Sequence, residues 1–506
     1  MSILLYLVVG LPVFAYFYVK WRYNYWQRKG VHCIEPEFPH GSYKDANSGL
    51  ASSHDILKNF YRDVKKRGLK FGGLYSMLTP IFVPCDLEVI KNIMMKDFGH
   101  FTDHGLYVNE KVDPLTGGLF LLEGEKWRNA RAKLTPTFTT GKMKMMFNTL
   151  VECSKGLDQL LAEEAKKNEP ILIKEVLARF TTDIIGSVAF GIDCNCMKVP
   201  NNEFRTQTQK AFGIRGKYKM LLRMYSPMWF LRLVRYKQTD DDVEKFFFDL
   251  VGNTVDYREK NNVYRKDFLQ MLIELKNTGT VTDDEVMKKS THGKPFFTLE
   301  EITAHSMTFF LAGFETSSTT MDFALVELAQ NQDIQDKLRK EILEVLAKHN
   351  GELSLDAIHE MQYLDQTITE TLRKYPPIPM LPRGCTKTYE IPDSDVVIEK
   401  GTMVNIPVQA IHHDPEIYPD PEKFDPDRWS PENSANRNNF AFLAFGEGPR
   451  LCIGMRFGKV QSKCGIIAIL KNYRVTLNEK TQLPIKLNPS FIISVRGGVW
   501  LNLEKI

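Results

Sequence analysis

Cysteine is sparse: Cys33, Cys85, Cys153, Cys194, Cys196, Cys385, Cys452 and Cys464 are spread through 506 residues. So thin a scatter excludes the disulfide framework that staples small secreted domains and suggests a reducing compartment. Charge of one sign is lacking as well. Sixty-six basic and 62 acidic side chains leave a formal net charge of +4, too near balance to imply a nucleic-acid partner. No segment repeats at a fixed period or is of low complexity, which excludes a solenoid or an extended linker protein. Glycine-rich fingerprints for a nicotinamide or flavin cofactor are missing too. Apart from the N-terminus there is no long charge-free apolar run, which excludes a multi-span membrane protein.

That N-terminus reads MSILLYLVVGLPVFAYFYV, uncharged from Met1 to Val19. About 19 residues at 1.5 Å each give roughly 28 Å of helix, close to the bilayer core. Gly10 and Pro12 are tolerated in membrane helices. Tyr16, Phe17, Tyr18, Trp21, Tyr23, Tyr25 and Trp26 suit an interfacial belt, and Lys20, Arg22, Arg28 and Lys29 keep the following chain on the cytosolic side. A cleaved signal peptide is the alternative, but no basic region precedes the run and no small-residue cleavage site follows it. The reading is an anchor over 1–20, a basic, proline-containing linker over 21–45 and a catalytic domain over 46–506.

Most of that domain reads as helix. Thr298 and Glu301 form a capping box that opens a helix running to about Gln330. A second helix stops at Asn350-Gly351, and a third runs from about Ser354 to Tyr375, where Pro376-Pro377 halts it. Residues 277–297 read as a polar surface loop. Turns rich in proline and strand-like pieces (YEIPDSDVVI, GVWLNLEKI) follow. The expected fold class is mainly α with small β-sheets.

Cys452 sits in FGEGPRLCIG, residues 445–454, where Phe445, Gly448, Arg450, Cys452 and Gly454 fill F-x-x-G-x-R-x-C-x-G. Gly446 and Gly448 permit a tight turn and Pro449 stiffens it. Ile453, Phe457, Val460, Cys464 and Ile467 then follow at helical spacing, so Cys452 lies at a helix N-terminus, where free N–H groups favour a thiolate. A nucleophile would need a histidine base. A thiolate holding haem iron needs a tight, protected loop of this kind.

This segment resembles the haem-binding loop of the cytochrome P-450 superfamily, the haem-thiolate monooxygenases. Three further motifs occur in the family's order. Glu370-Thr-Leu-Arg373 matches E-x-x-R, with Arg428 in PDPEKFDPDRW as its third member; the implied role is structural. AGFETSSTT, residues 312–320, matches the oxygen-activation segment: Ala312 and Gly313 leave room for O2, and Thr316 with Glu315 manages protons. Trp127 and Arg131 match W-x-x-x-R and, with Arg383 and Arg450, are implied contacts of the haem propionates; where some relatives carry a further arginine, this chain has His104. PTFTTGKMKMMF (136–147) and PRLCIGMRFG (449–458) place the resemblance in the microsomal class, closest to insect xenobiotic-metabolising enzymes. It covers essentially the whole chain after the anchor.

The resemblance implies haem b with an axial cysteine thiolate, and electrons from NADPH through NADPH–cytochrome P-450 reductase, in the endoplasmic reticulum membrane. It implies a pocket lined by Phe120, Phe212, Thr308, Leu311, Ala312, Ile378, Met380 and Ile492, apolar or small residues that suit a lipophilic small molecule. Arg456, Lys459 and Lys463, with Lys126, Arg128, Lys133, Lys142 and Lys144, are expected to form a basic docking face for the reductase. Two alternatives stand beside this: a haem-thiolate isomerase or dehydratase that rearranges peroxides without reductase, and a catalytically inactive haem-binding membrane protein. His412-His413 and Cys194-Asn-Cys196 lack the spacing and partners of a metal site.

Overall fold

The computed structural model describes residues 2–47, 52–211, 219, 222–223, 226–281, 296–488 and 490–506. Two apolar cores organise them. The larger is helical and centres on the helix Leu299–Gln330, packed by Ile173–Ile185, Asp241–Asn261, Gln362–Lys374 and Met455–Leu470. The smaller lies around a four-stranded sheet of order Phe71–Ser76, Thr79–Pro84, Met403–Ile406, Leu381–Gly384. Its first two strands form a hairpin, Met403–Ile406 joins parallel to the second, and Leu381–Gly384 closes the sheet antiparallel. A three-stranded sheet, with Trp500–Lys505 between Ile171–Leu172 and Tyr473–Leu477, and the pair Tyr389–Glu390 with Val397–Ile398 complete the small β content.

The capping box is made: Thr298 Oγ1 accepts from the Glu301 N–H at 3.2 Å, and Glu301 Oε2 accepts from the Thr298 N–H at 2.8 Å. The helix it starts ends at Gln330. The next ends at Lys348, and Asn350 and Gly351 take φ of 56° and 78°, the left-handed stop expected there. The third expected helix is instead two, Leu355–Glu360 and Gln362–Lys374, broken at Met361. The break is capped from outside: the Glu341 carboxylate accepts the Tyr363 and Leu364 N–H groups at 2.7 and 2.9 Å. A cap supplied by a neighbouring helix leaves no local sequence signal.

The segment read as a linker is part of the smaller core. Trp26 is fully buried rather than interfacial; its indole Nε1–H donates to the Leu74 carbonyl and its ring packs on Phe82. Cys33 and Gly41 bridge to Gly73 and Ser76 of the first hairpin. Ser2–Tyr23 is one helix, but among the described residues no helix is long and apolar enough to cross a membrane. The side chains at 2–9 and 11 lie outside the described ones, as does Phe212 and most of the polar loop 277–297.

Candidate active site

A partly open cavity of about 240 Å³ lies between the two cores. A larger surface groove, of about 1080 Å³, runs past Glu327, Lys374, His413 and Arg496. It is open and mixed in charge, and neither Cys452 nor any of the residues matched to the W-x-x-x-R and AGFET motifs lines it. The smaller cavity takes its walls from the long helix, the cysteine loop, the W-x-x-x-R helix and the strand Leu381–Gly384. Each element contributes one face. Thr308, Ala312, Thr316 and Thr320, at spacing four, form the stripe that the long helix presents, and Thr316 Oγ1 donates to the Ala312 carbonyl at 2.5 Å. Leu381 and Arg383 line it from alternate strand positions, and Trp127 and Arg131 from successive helical turns.

The cysteine loop adopts the expected turn, with Gly446 and Gly448 both at φ 73°, and the Cys452 N–H donates to the Phe445 carbonyl at 2.9 Å. Cys452 is solvent-accessible only in the sense that it forms part of the cavity wall; protein encloses its sulfur otherwise. Burial pushes its thiol up, against the Gly454 N–H and the Arg131 guanidinium, which pull it down. The helix terminus alone therefore does not hold a thiolate here; a cation at the sulfur would.

Beside it, buried arginines outnumber the carboxylates that reach them. Arg383 is 2% exposed, its Nε–H finds no partner, and burial lowers its pKa to about 10. Burial foremost, then Arg383, lower that of Arg450 to about 9, although Asp103 lies 3.8 Å away. Arg450 stacks on Trp127 with its guanidinium carbon 4.0 Å from the ring, and donates to the Thr102, Phe120 and Leu122 carbonyls. His104 is buried and held well below the usual histidine range, by burial first and then by Arg383 and Arg450. Its Nδ1–H donates to the Phe120 carbonyl at 2.7 Å, so neutral His104 offers only an acceptor at its other nitrogen and is not a fourth cation. Uncompensated buried charge of one sign is costly, and an orphaned arginine donor aimed into a cavity asks for an anionic ligand. A thiol facing the same space asks for a soft or borderline metal. A dianionic iron macrocycle carrying carboxylates fits both requirements.

The cytochrome P450 family model matches residues 46–500. The chain is 42% identical to probable cytochrome P450 6a13 of Drosophila melanogaster, over 100% of its own length and 99% of the relative's. It is likewise 42% identical to cytochrome P450 6a2 of the same fly, and 41% identical to cytochrome P450 6A1 of Musca domestica, over 98% or more of both chains.

The chain belongs to the cytochrome P450 family. It is a monooxygenase enzyme whose cofactor is haem iron with a cysteine thiolate.

The cavity gathers Cys452, Trp127, Arg131, Arg383, Arg450, Thr316, Ala312, Thr308, Phe120 and Ile378. Other expected residues lie elsewhere. Gly313 is not in the cavity wall; an added Cβ there would meet Ile185 Cδ1 of the neighbouring helix at 2.6 Å. Glu315 lies one position off the cavity stripe and pairs with Lys174 at 3.0 Å. Leu311 packs on the helical core and Met380 on the sheet core, each one residue off a cavity-facing position. Ile492 is not in the wall; its carbonyl accepts from Ser490 Oγ at 2.5 Å. Sequence reading missed Thr320, Ile368, Leu372 and Leu381 in the wall. Only Thr320 had a signal, continuing the spacing of 312 and 316.

Glu370 and Arg373 are fully buried, with two hydrogen bonds at 2.8 and 2.9 Å, and Arg428 joins at 3.4 Å. Trp429 Nε1–H and the Asp425 N–H complete the carboxylate. Arg373 donates to the His412 carbonyl, while His412 bonds the Arg373 carbonyl and accepts the Leu443 N–H. His412 thereby ties this network to the strand of chain leading to Cys452, a structural task.

The basic face is smaller than expected. Lys459 and Lys463 both pair with Asp365, at 3.0 and 2.8 Å, and Lys463 is buried. Burial pushes the Asp365 carboxyl up, but the two lysines outweigh it and hold it low. Lys142 is buried, and Lys126 pairs with Glu110 at 2.9 Å. Arg128, Lys144 and Arg456 remain exposed.

Proposed function

We propose that this enzyme inserts one oxygen atom of O2 into lipophilic small molecules, xenobiotics or endogenous lipids and hormones, with electrons from NADPH delivered by NADPH–cytochrome P-450 reductase. The observation that carries this is the meeting, in one apolar-walled cavity, of the Cys452 thiol, the unsatisfied Arg383 donor and the Thr308–Thr320 stripe. Haem held there by Cys452 would supply oxygen activation. Arg383, Arg131 and Trp127 would hold its carboxylates, with Arg450 fixing the surrounding loops. Phe120, Ile378, Leu381 and Ala312 exclude water and orient an apolar substrate, and Thr316 carries the hydroxyl that hands on protons.

The endoplasmic reticulum membrane is the proposed location, with the N-terminal helix as anchor. Its aromatic row supports this: Phe14, Tyr16, Phe17 and Trp21 are all at least half exposed. Arg128, Lys144 and Arg456 are the proposed cations for an acidic reductase surface. The full chain, reduced under carbon monoxide, should show a strongly red-shifted Soret band that Cys452→Ser loses. Product from lipophilic probes should require both NADPH and added reductase. Turnover of hydroperoxides with neither would favour the isomerase reading instead, and no turnover by either route the inactive haem-binding one.

A further inference from the structure

The face of the long helix next to the cavity stripe carries a second buried polar cluster. Glu315, Ser318, Thr319 and Asp322 lie at spacing 3, 1 and 3, on one side of the helix. Lys174, in the first turn of the helix Ile173–Ile185, reaches across. Its Nζ lies 3.0 Å from Glu315 Oε1 and donates to Ser318 Oγ at 3.0 Å and Thr319 Oγ1 at 2.6 Å. Asp322 is one turn further along the same face, 2% exposed, and its Oδ1 has no hydrogen-bond partner. The charged groups that bear on it are Lys174 and Glu315. One ammonium therefore stands between two carboxyl groups and pairs with only one of them.

We propose that Lys174 is a positioning residue that holds Glu315 off the cavity, and that Asp322 is the alternative carboxylate to which Lys174 passes when Glu315 turns toward Thr316. The exchange is balanced in charge. Lys174 keeps an anionic partner in either state: Asp322 gives up its proton as it takes the ammonium, and Glu315 takes up one proton as it loses the ammonium and turns toward the Thr316 hydroxyl. Burial supports the second half: it raises the Asp322 carboxyl to about 7, above what Lys174 lowers and with Glu315 adding to the rise, so Asp322 exchanges its proton near neutrality. Lys174 has the reach, because its two hydroxyl partners at 318 and 319 already sit between the carboxyl groups. The functional half of the inference rests on the monooxygenase reading; the exchange itself does not.

The experiment is an infrared titration of the Asp322 carboxyl in the ferric holoenzyme, the band being assigned by its loss in Asp322→Asn. Glu315→Gln frees Lys174, and the Asp322 midpoint is expected to fall by about one pH unit or more. Lys174→Met should raise it, and Lys174→Arg should restore the parent value. In Glu315→Gln combined with Lys174→Met the fall should vanish. A fall that persists in the double variant reports simple loss of repulsion and overturns the exchange, as does an unchanged midpoint in Glu315→Gln. For function, Asp322→Asn strands Lys174 on Glu315. Product per NADPH should drop about threefold and the solvent isotope effect on kcat should grow, with the carbon monoxide band intact. If both stay at parental values, the gating role is overturned. Failure of the parent to turn over at all would count against the monooxygenase reading and leave the infrared result to decide the exchange.

Discussion

Two buried clusters of charge, built from similar residues, behave in opposite ways. Around Glu370 the anion is present and fully engaged: Arg373 binds the carboxylate twice, Trp429 and the Asp425 N–H donate to it, and the Arg428 guanidinium lies 3.4 Å away, although its Nε–H makes no hydrogen bond. Around Arg383 the cations accumulate, a donor stays unpaired, and burial depresses both arginines. A closed cluster is a structural device; an open one is a binding site for what would close it. Both motifs are short pairings of charge and polar residues in sequence, and only their surroundings separate them.

The largest effect should come from opening the closed cluster. Glu370→Ala leaves Arg373 and Arg428 buried without an anion, a loss of about 3–5 kcal/mol. Little folded protein and no carbon monoxide-sensitive haem band should be recovered. Next is the open cluster. Arg383→Leu removes the orphaned donor, so the fold should persist while haem transfers to an apoglobin acceptor about tenfold faster or more. Equal transfer rates for the variant and parent would sink the assignment of Arg383 to the ligand.

A third test uses pH. The folded Asp322 carboxyl, about 7, stands above its ordinary 3.8, so its contribution to stability is complete below about 3.8 and is lost as pH rises through about 7. Asp322→Asn should therefore flatten the fall in melting temperature across that window, read by calorimetry at fixed ionic strength. The smallest effect concerns the surface. Arg456→Glu with Arg128→Glu should raise the reductase concentration needed for half-maximal rate several-fold at low salt, with the difference fading as salt is added. Lys463→Glu, by contrast, puts a buried acidic group beside Asp365 with Lys459 alone to offset the two, and should lower stability before it touches reduction.

Legibility in the sequence followed how local each feature was. The capping box, the left-handed stop at Asn350-Gly351 and the turn before Cys452 rest on residues within a few positions of one another, and each stands where it was expected. The break at Met361 was invisible because Glu341, on another helix, caps it. Trp26 looked interfacial because aromatic neighbours suggest a belt, whereas the hairpin that buries it begins 45 residues later. Of the pocket residues implied by the family resemblance, Phe120, Thr308, Ala312 and Ile378 lie in the wall, Leu311 and Met380 lie one position off it, and Ile492 lies elsewhere.

By itself, then, the sequence determined the family, the thiol at Cys452, the order of the motifs and a mostly helical fold, because these depend on residue identity and short-range spacing. Tertiary structure alone decided which charges are satisfied. It set Lys459 and Lys463 on Asp365 instead of solvent, left His104 neutral between two arginines, and placed Lys174 between Glu315 and Asp322. The reason is electrostatic: the free energy of a charge is set by what surrounds it within a few ångströms, and those neighbours come from distant parts of the chain.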